Sequence, residues 1–246
     1  MKKFIFNIFI FLAFSSLFYL VTLFFWGQYA PNSLKPNLRY KLGSYGHLYS
    51  RISDIKNQND LDILFLGSSH SYRGFDTRIF SEFGYKTFNL GSSSQTPIQT
   101  KVLLDRYLNI LNPETVIYEV YPETFTFDGV ESSLDIISND KNDLHSFKMI
   151  LKTNNIKTYN TFIYSVTRDL FNLNKSFIES QIKGNDIYIP GGYVEKKIGF
   201  FKPTTFKRRE IKINNYQLES FSEIVKLLKK KNRINSSLCS NSKNEL

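Results

Sequence analysis

The chain has 246 residues, enough for one membrane-spanning segment plus one α/β domain with a sizeable core, and too few for two full domains beside it. Its single cysteine, Cys239, excludes an internal disulfide framework and a cysteine-based metal site, and only three histidines, His47, His70 and His145, are available for acid–base work. The net charge of +10 is local: residues 196–233 hold twelve Lys and Arg against three Glu, which reads as a solvated helix face and basic tail, with anionic lipid headgroups as the sharper alternative and nucleic acid set aside as a partner.

Residues 4–26, FIFNIFIFLAFSSLFYLVTLFFW, carry no charge and are long enough to span a bilayer core. A cleaved signal peptide would be shorter and would end in a small-x-small site, which Gln28-Tyr29-Ala30 does not supply, so residues 1–29 read as an uncleaved signal anchor. Lys2 and Lys3 favour a cytoplasmic N-terminus, although Lys35, Arg39 and Lys41 weaken the asymmetry. The expectation is a single-pass membrane protein whose main domain is extracytoplasmic, periplasmic or at the cell surface, with the bilayer as its first partner.

Residues 30–59, with Pro31, Pro36 and little periodicity, read as a juxtamembrane linker that places His47 on the surface. The α/β domain is expected over 60–246. DILFL (62–66) is a short apolar run of the kind buried on both faces. Phe75, Ile79, Phe80 and Phe83 recur at helical spacing before Gly84, and YKTFNL (85–90) is a second strand. Thr96 and Pro97 open a helix lined by Leu104, Leu108 and Leu111, and TVIYEVY (115–121) is a third strand. Strand–helix–strand–helix–strand implies right-handed crossovers and a parallel sheet with loops gathered at its carboxyl edge. Residues 123–214 read as an insertion over that edge, with helices near 133–152 and 160–181 and a turn at IPGGY (189–193). Leu218, Phe221, Val225 and Leu228 define a last amphipathic helix over 215–231, after which the chain is polar and aperiodic.

The chemistry-bearing stretch is Gly67-Ser68-Ser69-His70, directly after the first strand. A hydroxyl nucleophile needs a tight turn, a nearby base and N–H donors for the oxyanion. The turn can expose Ser69 and offer its N–H, and Gly91, after the second strand, can offer another. On the residues alone, an ordinary turn with capping hydroxyls explains Gly-Ser-Ser equally simply.

ILFLGSSHSYRGFD, FNLGSSSQTP and VIYEVYPETF together resemble the SGNH/GDSL hydrolase superfamily, especially its membrane-anchored bacterial branch with a Gly-Ser-Ser motif. The resemblance covers about residues 60–122. It implies a flavodoxin-like parallel sheet with helices on both faces, and serine esterase or O-acyltransferase chemistry in the cell envelope. By position it makes Ser69 the nucleophile and Gly91 an oxyanion donor through its backbone. The family's third-block Asn has no counterpart in YEVYPE, where Glu119 and Glu123 receive no catalytic role. Its Asp-x-x-His block is also absent, so the sheet reads as incomplete at the C-terminus and the chain as truncated or frameshifted near Asn232. His70 is retained as a secondary catalytic candidate, but adjacent residues on a turn diverge, which suits it better to structuring the loop. His145, beside Asp143, is the other stand-in. No cofactor or metal is implied. The expected partners are an acylated cell-surface polysaccharide or a membrane acyltransferase, and the rival expectation is a non-catalytic envelope protein that binds one of these.

Overall fold

In the computed structural model, which describes residues 1–43, 46–197, 199 and 210–231, the centre of the protein is a three-stranded parallel sheet. Its strands are β1 (Ile63–Leu66), β2 (Thr87–Asn89) and β3 (Thr115–Tyr118), in the order β2-β1-β3. The chain steps from β1 to β2 and then back across β1 to β3. Two right-handed crossovers in opposite directions must pass over opposite faces of the sheet. The central strand agrees: Leu64 and Leu66 share the main core with Leu103, Leu104 and Leu111 of α5 (Pro97–Leu111), whereas Phe65 stacks on Phe75 at 4.4 Å and packs against Phe80 of α4 (Thr77–Glu82) at 4.9 Å. Burying each such side chain contributes about 1.5–3 kcal/mol, so β1 is held from both sides.

Several elements depart from the sequence expectation for identifiable reasons. The segment expected as a linker contains α2 (Leu48–Asp54), whose Leu48 and Arg51 are fully buried. His47, expected on the surface, is fully buried at the start of that helix, with its Nδ1 3.9 Å from Glu179 Oε1. The helix expected near 133–152 is two helices, α6 (Val130–Asn139) and α7 (Leu144–Thr153), because the Asp143 carboxylate accepts from the His145 and Ser146 N–H groups and caps a new start. The next helix, α8, runs Ile156–Leu170 and not 160–181. An antiparallel sheet of β4 (Ile182–Lys183), β5 (Asp186–Ile189) and β6 (Tyr193–Lys196) follows, and the expected turn joins β5 to β6. That turn covers the free edge of β2: the Asn89 N–H donates to Gly191 O at 2.8 Å.

The last described helix, α9 (Asn215–Lys230), turns Gln217, Ser220, Ile224 and Leu228 inward and leaves Leu218 about half exposed. Gln217 is inside because its side chain is used twice, accepting from the Ile98 N–H and donating to Phe127 O. Much of the basic run, and the residues after Lys231 where the Asp-x-x-His block was sought, lie outside the described residues. At the other end, α1 (Lys2–Tyr29) is long and apolar enough to cross a membrane, and only Leu23 and Gly27 of it are buried against the domain.

Candidate functional site

The carboxyl ends of β1 and β3 meet at Gly67. Its φ is 140°, and a Cβ there would lie 2.6 Å from Glu119 Oε2 and 3.0 Å from the Glu119 carbonyl oxygen, so glycine alone permits the approach. Ser68 comes next and caps α3 (Ser69–Gly74), its Oγ accepting from the His70 N–H at 3.3 Å. The Ser68 hydroxyl and backbone N–H both donate to Glu119 Oε2, each at 2.9 Å. With 4% of its surface exposed and its hydrogen bonds used, Ser68 is a structural link between the two strand ends.

The loop after β2 is tied in by Asn89, a fully buried polar residue between Phe88 and Leu90. Its Oδ1 accepts from the Gly91 N–H at 3.0 Å and from the Ser71 hydroxyl at 3.2 Å, and its Nδ2 donates to Ser71 O at 2.8 Å. The Ser92 N–H donates to Gly67 O at 3.2 Å. Gly91 is packed so closely that a Cβ would lie 2.9 Å from Gly67 O and 3.1 Å from Ser68 O. The three loops therefore form one hydrogen-bonded unit.

On this unit Ser69 is the first residue of α3 and is half-buried. The N–H at that position has no acceptor within its own helix. His70 projects outward, its side chain 60% exposed, with Nδ1 3.2 Å from Ser68 Oγ and 4.0 Å from Glu119 Oε1. Its ring meets Tyr121 edge-on at 4.7 Å. Below the site, burial pushes the Tyr118 hydroxyl above the usual phenol range and keeps it a donor, to Thr100 Oγ1 at 3.2 Å. Ser94, Phe127, Glu131 and Ser132 line an open hollow beside the second loop, and the Ser92 and Ser132 hydroxyls are 3.3 Å apart.

The structure thus brings the residues singled out from sequence, Ser69, His70 and Gly91, into one neighbourhood. The Gly91 N–H points at Asn89 Oδ1, and a ligand oxygen would have to compete for it. The His70 Nδ1 is engaged with Ser68, the neighbour of the candidate nucleophile. His145 lies elsewhere, on the outer side of α5, with its Nδ1 3.6 Å from Asp105 Oδ2. Two residues that hold the site together received no role from sequence. Asn89 was detectable as a lone amide among buried apolar neighbours. The partnership of Glu119 with Ser68 needed the register that sets Leu66 opposite Tyr118. Among the described residues, no group of three or more His, Cys, Asp or Glu side chains could hold a metal ion. Comparison with protein-family models, curated proteins and solved structures finds no match to this chain.

Proposed function

We propose that this chain is a membrane-anchored, SGNH-like serine esterase or O-acyltransferase of the cell envelope, with Ser69 as its nucleophile. The observation that supports this reading is the setting of Ser69: half-buried, first in its helix, on the carboxyl edge of a parallel sheet where the β1 and β3 connections part to opposite faces. The order β2-β1-β3 is consistent with the first half of a flavodoxin-like sheet. The apolar α1 acts as the anchor, with the domain outside the cytoplasm.

In this mechanism the Ser69 Oγ attacks an acyl carbonyl, and the proton it loses passes to a base. The carbonyl oxygen gains the negative charge and is met by the Ser69 N–H, joined by that of Gly91 when the ligand displaces Asn89 Oδ1. Collapse of the tetrahedral adduct expels the alcohol or thiol of the donor, which takes up the proton that the base had removed from Ser69. The acyl group on Ser69 then passes to water, or to a hydroxyl of a cell-surface polysaccharide held in the hollow by Ser94 and Glu131. Glu119 and Asn89 position the loops and take no proton.

A second reading is favoured by one observation. The His70 Nδ1 faces Ser68, and among the described residues no other histidine lies on the three loops. A serine without its base retains little of its reactivity. In that case the site is non-catalytic and binds a glycan or a membrane acyltransferase partner. A fluorophosphonate probe applied to the full-length protein separates the two. Labelling that is lost in Ser69→Ala and kept in Ser68→Ala supports the enzyme. A folded chain that stays unlabelled supports the binding protein.

A further inference from the structure

We propose that the corner between α7 and α8 is a second membrane contact, an amphipathic wedge that reaches through the headgroup–acyl boundary and fixes the height of the sheet edge above the bilayer. This rests on the reading that α1 crosses the membrane. The domain is attached to α1 side by side, beyond the chain connection. The Tyr19 hydroxyl donates to Asn160 Oδ1 at 2.6 Å, the Tyr164 ring lies against Gly27, and the Tyr164 hydroxyl and Arg168 Nη1 donate to Gln28 Oε1 at 3.1 and 2.9 Å. Leu23, Phe24, Leu38 and Ile163 pack around the same contact.

These contacts set direction and depth. Asn160 is level with Tyr19, and Tyr164 with Gly27 and Gln28, so the N-terminal end of α8 points back toward the start of α1. Tyr19 precedes Trp26 by seven residues, about 10 Å along the axis. With Trp26 in the headgroups, α8 at Asn160 lies about 10 Å further in, and Ile156, four residues nearer the start of α1, about 6 Å beyond that, so the corner reaches through the headgroup–acyl boundary into the acyl region.

The corner presents the surface that such a position requires. Leu144, Phe147 and Leu151 recur on one face of α7 and are 45–63% exposed, and Ile156 begins α8 at 51%. Phe147 packs on Phe162 of α8 at 6.3 Å, and the next residue, Ile163, joins the cluster around α1, so the corner and the α1 contact are carried by the same helix. Between residues 144 and 168 there is no Asp or Glu, while Lys148, Lys152 and Lys157 flank the apolar face. Lys152 is paired with Glu223 of α9 at 3.6 Å and His145 lies 3.6 Å from Asp105 of α5, so Lys148 and Lys157 are the cations at this face that suit a bilayer with anionic headgroups.

The test uses the full-length protein with Cys239→Ser, reconstituted in vesicles of phosphatidylcholine and phosphatidylglycerol. Single cysteines replace Leu151, Ile156, Phe11 or Phe83, each carrying an environment-sensitive nitrobenzoxadiazole dye, and spin-labelled lipids quench from within the acyl region. The expected result is strong quenching at 151 and 156, approaching that at 11 in α1, with 83 on the far side of the sheet unaffected. Quenching at 11 alone overturns the wedge and leaves the anchor standing. Blue-shifted but unquenched dye at 151 and 156 means that a second copy covers the corner, which also overturns it. No quenching at 11 removes the anchor and the wedge together.

Discussion

Polar side chains crowd two regions of this molecule, the junction of α5 with α7 and the carboxyl edge of the sheet, and they are satisfied in different ways. At the junction the groups bond one another, with Arg106 and Asp140 buried and Asp143 partly exposed. The Arg106 side chain is fully buried; its Nη1 donates to Asp140 at 2.7 Å, its Nη2 to Asp143 and Ser146 at 2.6 Å each, and its Nε to Asp143 at 3.1 Å. The Tyr107 hydroxyl donates to Asp140 as well. At the sheet edge the inner residues Ser68, Asn89 and Glu119 are similarly engaged, but Ser69 and His70 are left facing solvent. A closed network locks helices together. A locked base with Ser69 at its rim is the arrangement that the proposed site requires.

The largest expected effect belongs to the closed network. Arg106→Met strands two carboxylates, and equilibrium unfolding in urea should show a loss of about 3–5 kcal/mol. A loss below about 1 kcal/mol would break the distinction between the two regions. Asn89→Ala should cost about 1–3 kcal/mol, because the buried Gly91 N–H and Ser71 hydroxyl lose their acceptor. It should also slow labelling of Ser69, because the loop carrying Gly91 is no longer tied to α3; unchanged labelling would mean that the rim does not depend on its base.

Acid should act on the closed network too. Burial opposes ionisation at Asp143, but the bonds from Arg106 and from the Ser146 and His145 N–H groups outweigh it and hold the carboxyl below its usual range. The unfolded chain therefore takes up this proton first as the pH falls. The contribution is complete above the ordinary Asp pKa, about 3.9, and is lost as the pH drops through the lower folded value. Stability measured against pH should fall in that window, and Asp143→Asn should flatten the fall; an identical slope would remove Asp143 from the network. The smallest effect on stability is expected at the rim. Ser69→Ala should change it by no more than about 0.5 kcal/mol while abolishing fluorophosphonate labelling. A large destabilisation would make Ser69 another structural link, like Ser68.

Much of the frame was legible because its signals are local. The apolar run at 62–66, Thr96 with Pro97 before a leucine stripe, and the Gly-Gly turn after Ile189 each specify a backbone conformation through their own side chains. Less legible were the polar residues that serve as interior parts. Asp143, whose cap is local but whose carboxylate is held by Arg106, and Gln217, turning α9 by about a residue, obey partners far away in sequence, and His47 is buried because α2, read as linker, is part of the core. Composition treats such residues as surface.

For the site, the sequence by itself determined which residues follow the strands: glycine and serine after β1 and β2, a glutamate after β3, and a long uncharged segment at the start of the chain. Only the tertiary structure decided what each does. The parallel register sets Glu119 against Ser68, and the return of β2 beside β1 brings Asn89, which also holds the Gly91 N–H, to Ser71. That arrangement holds one serine of the pair inside and leaves the other at the rim. A hydroxyl's environment depends on strands that are distant in the chain and adjacent in the fold, and adjacent residues with the same side chain therefore have different chemistry.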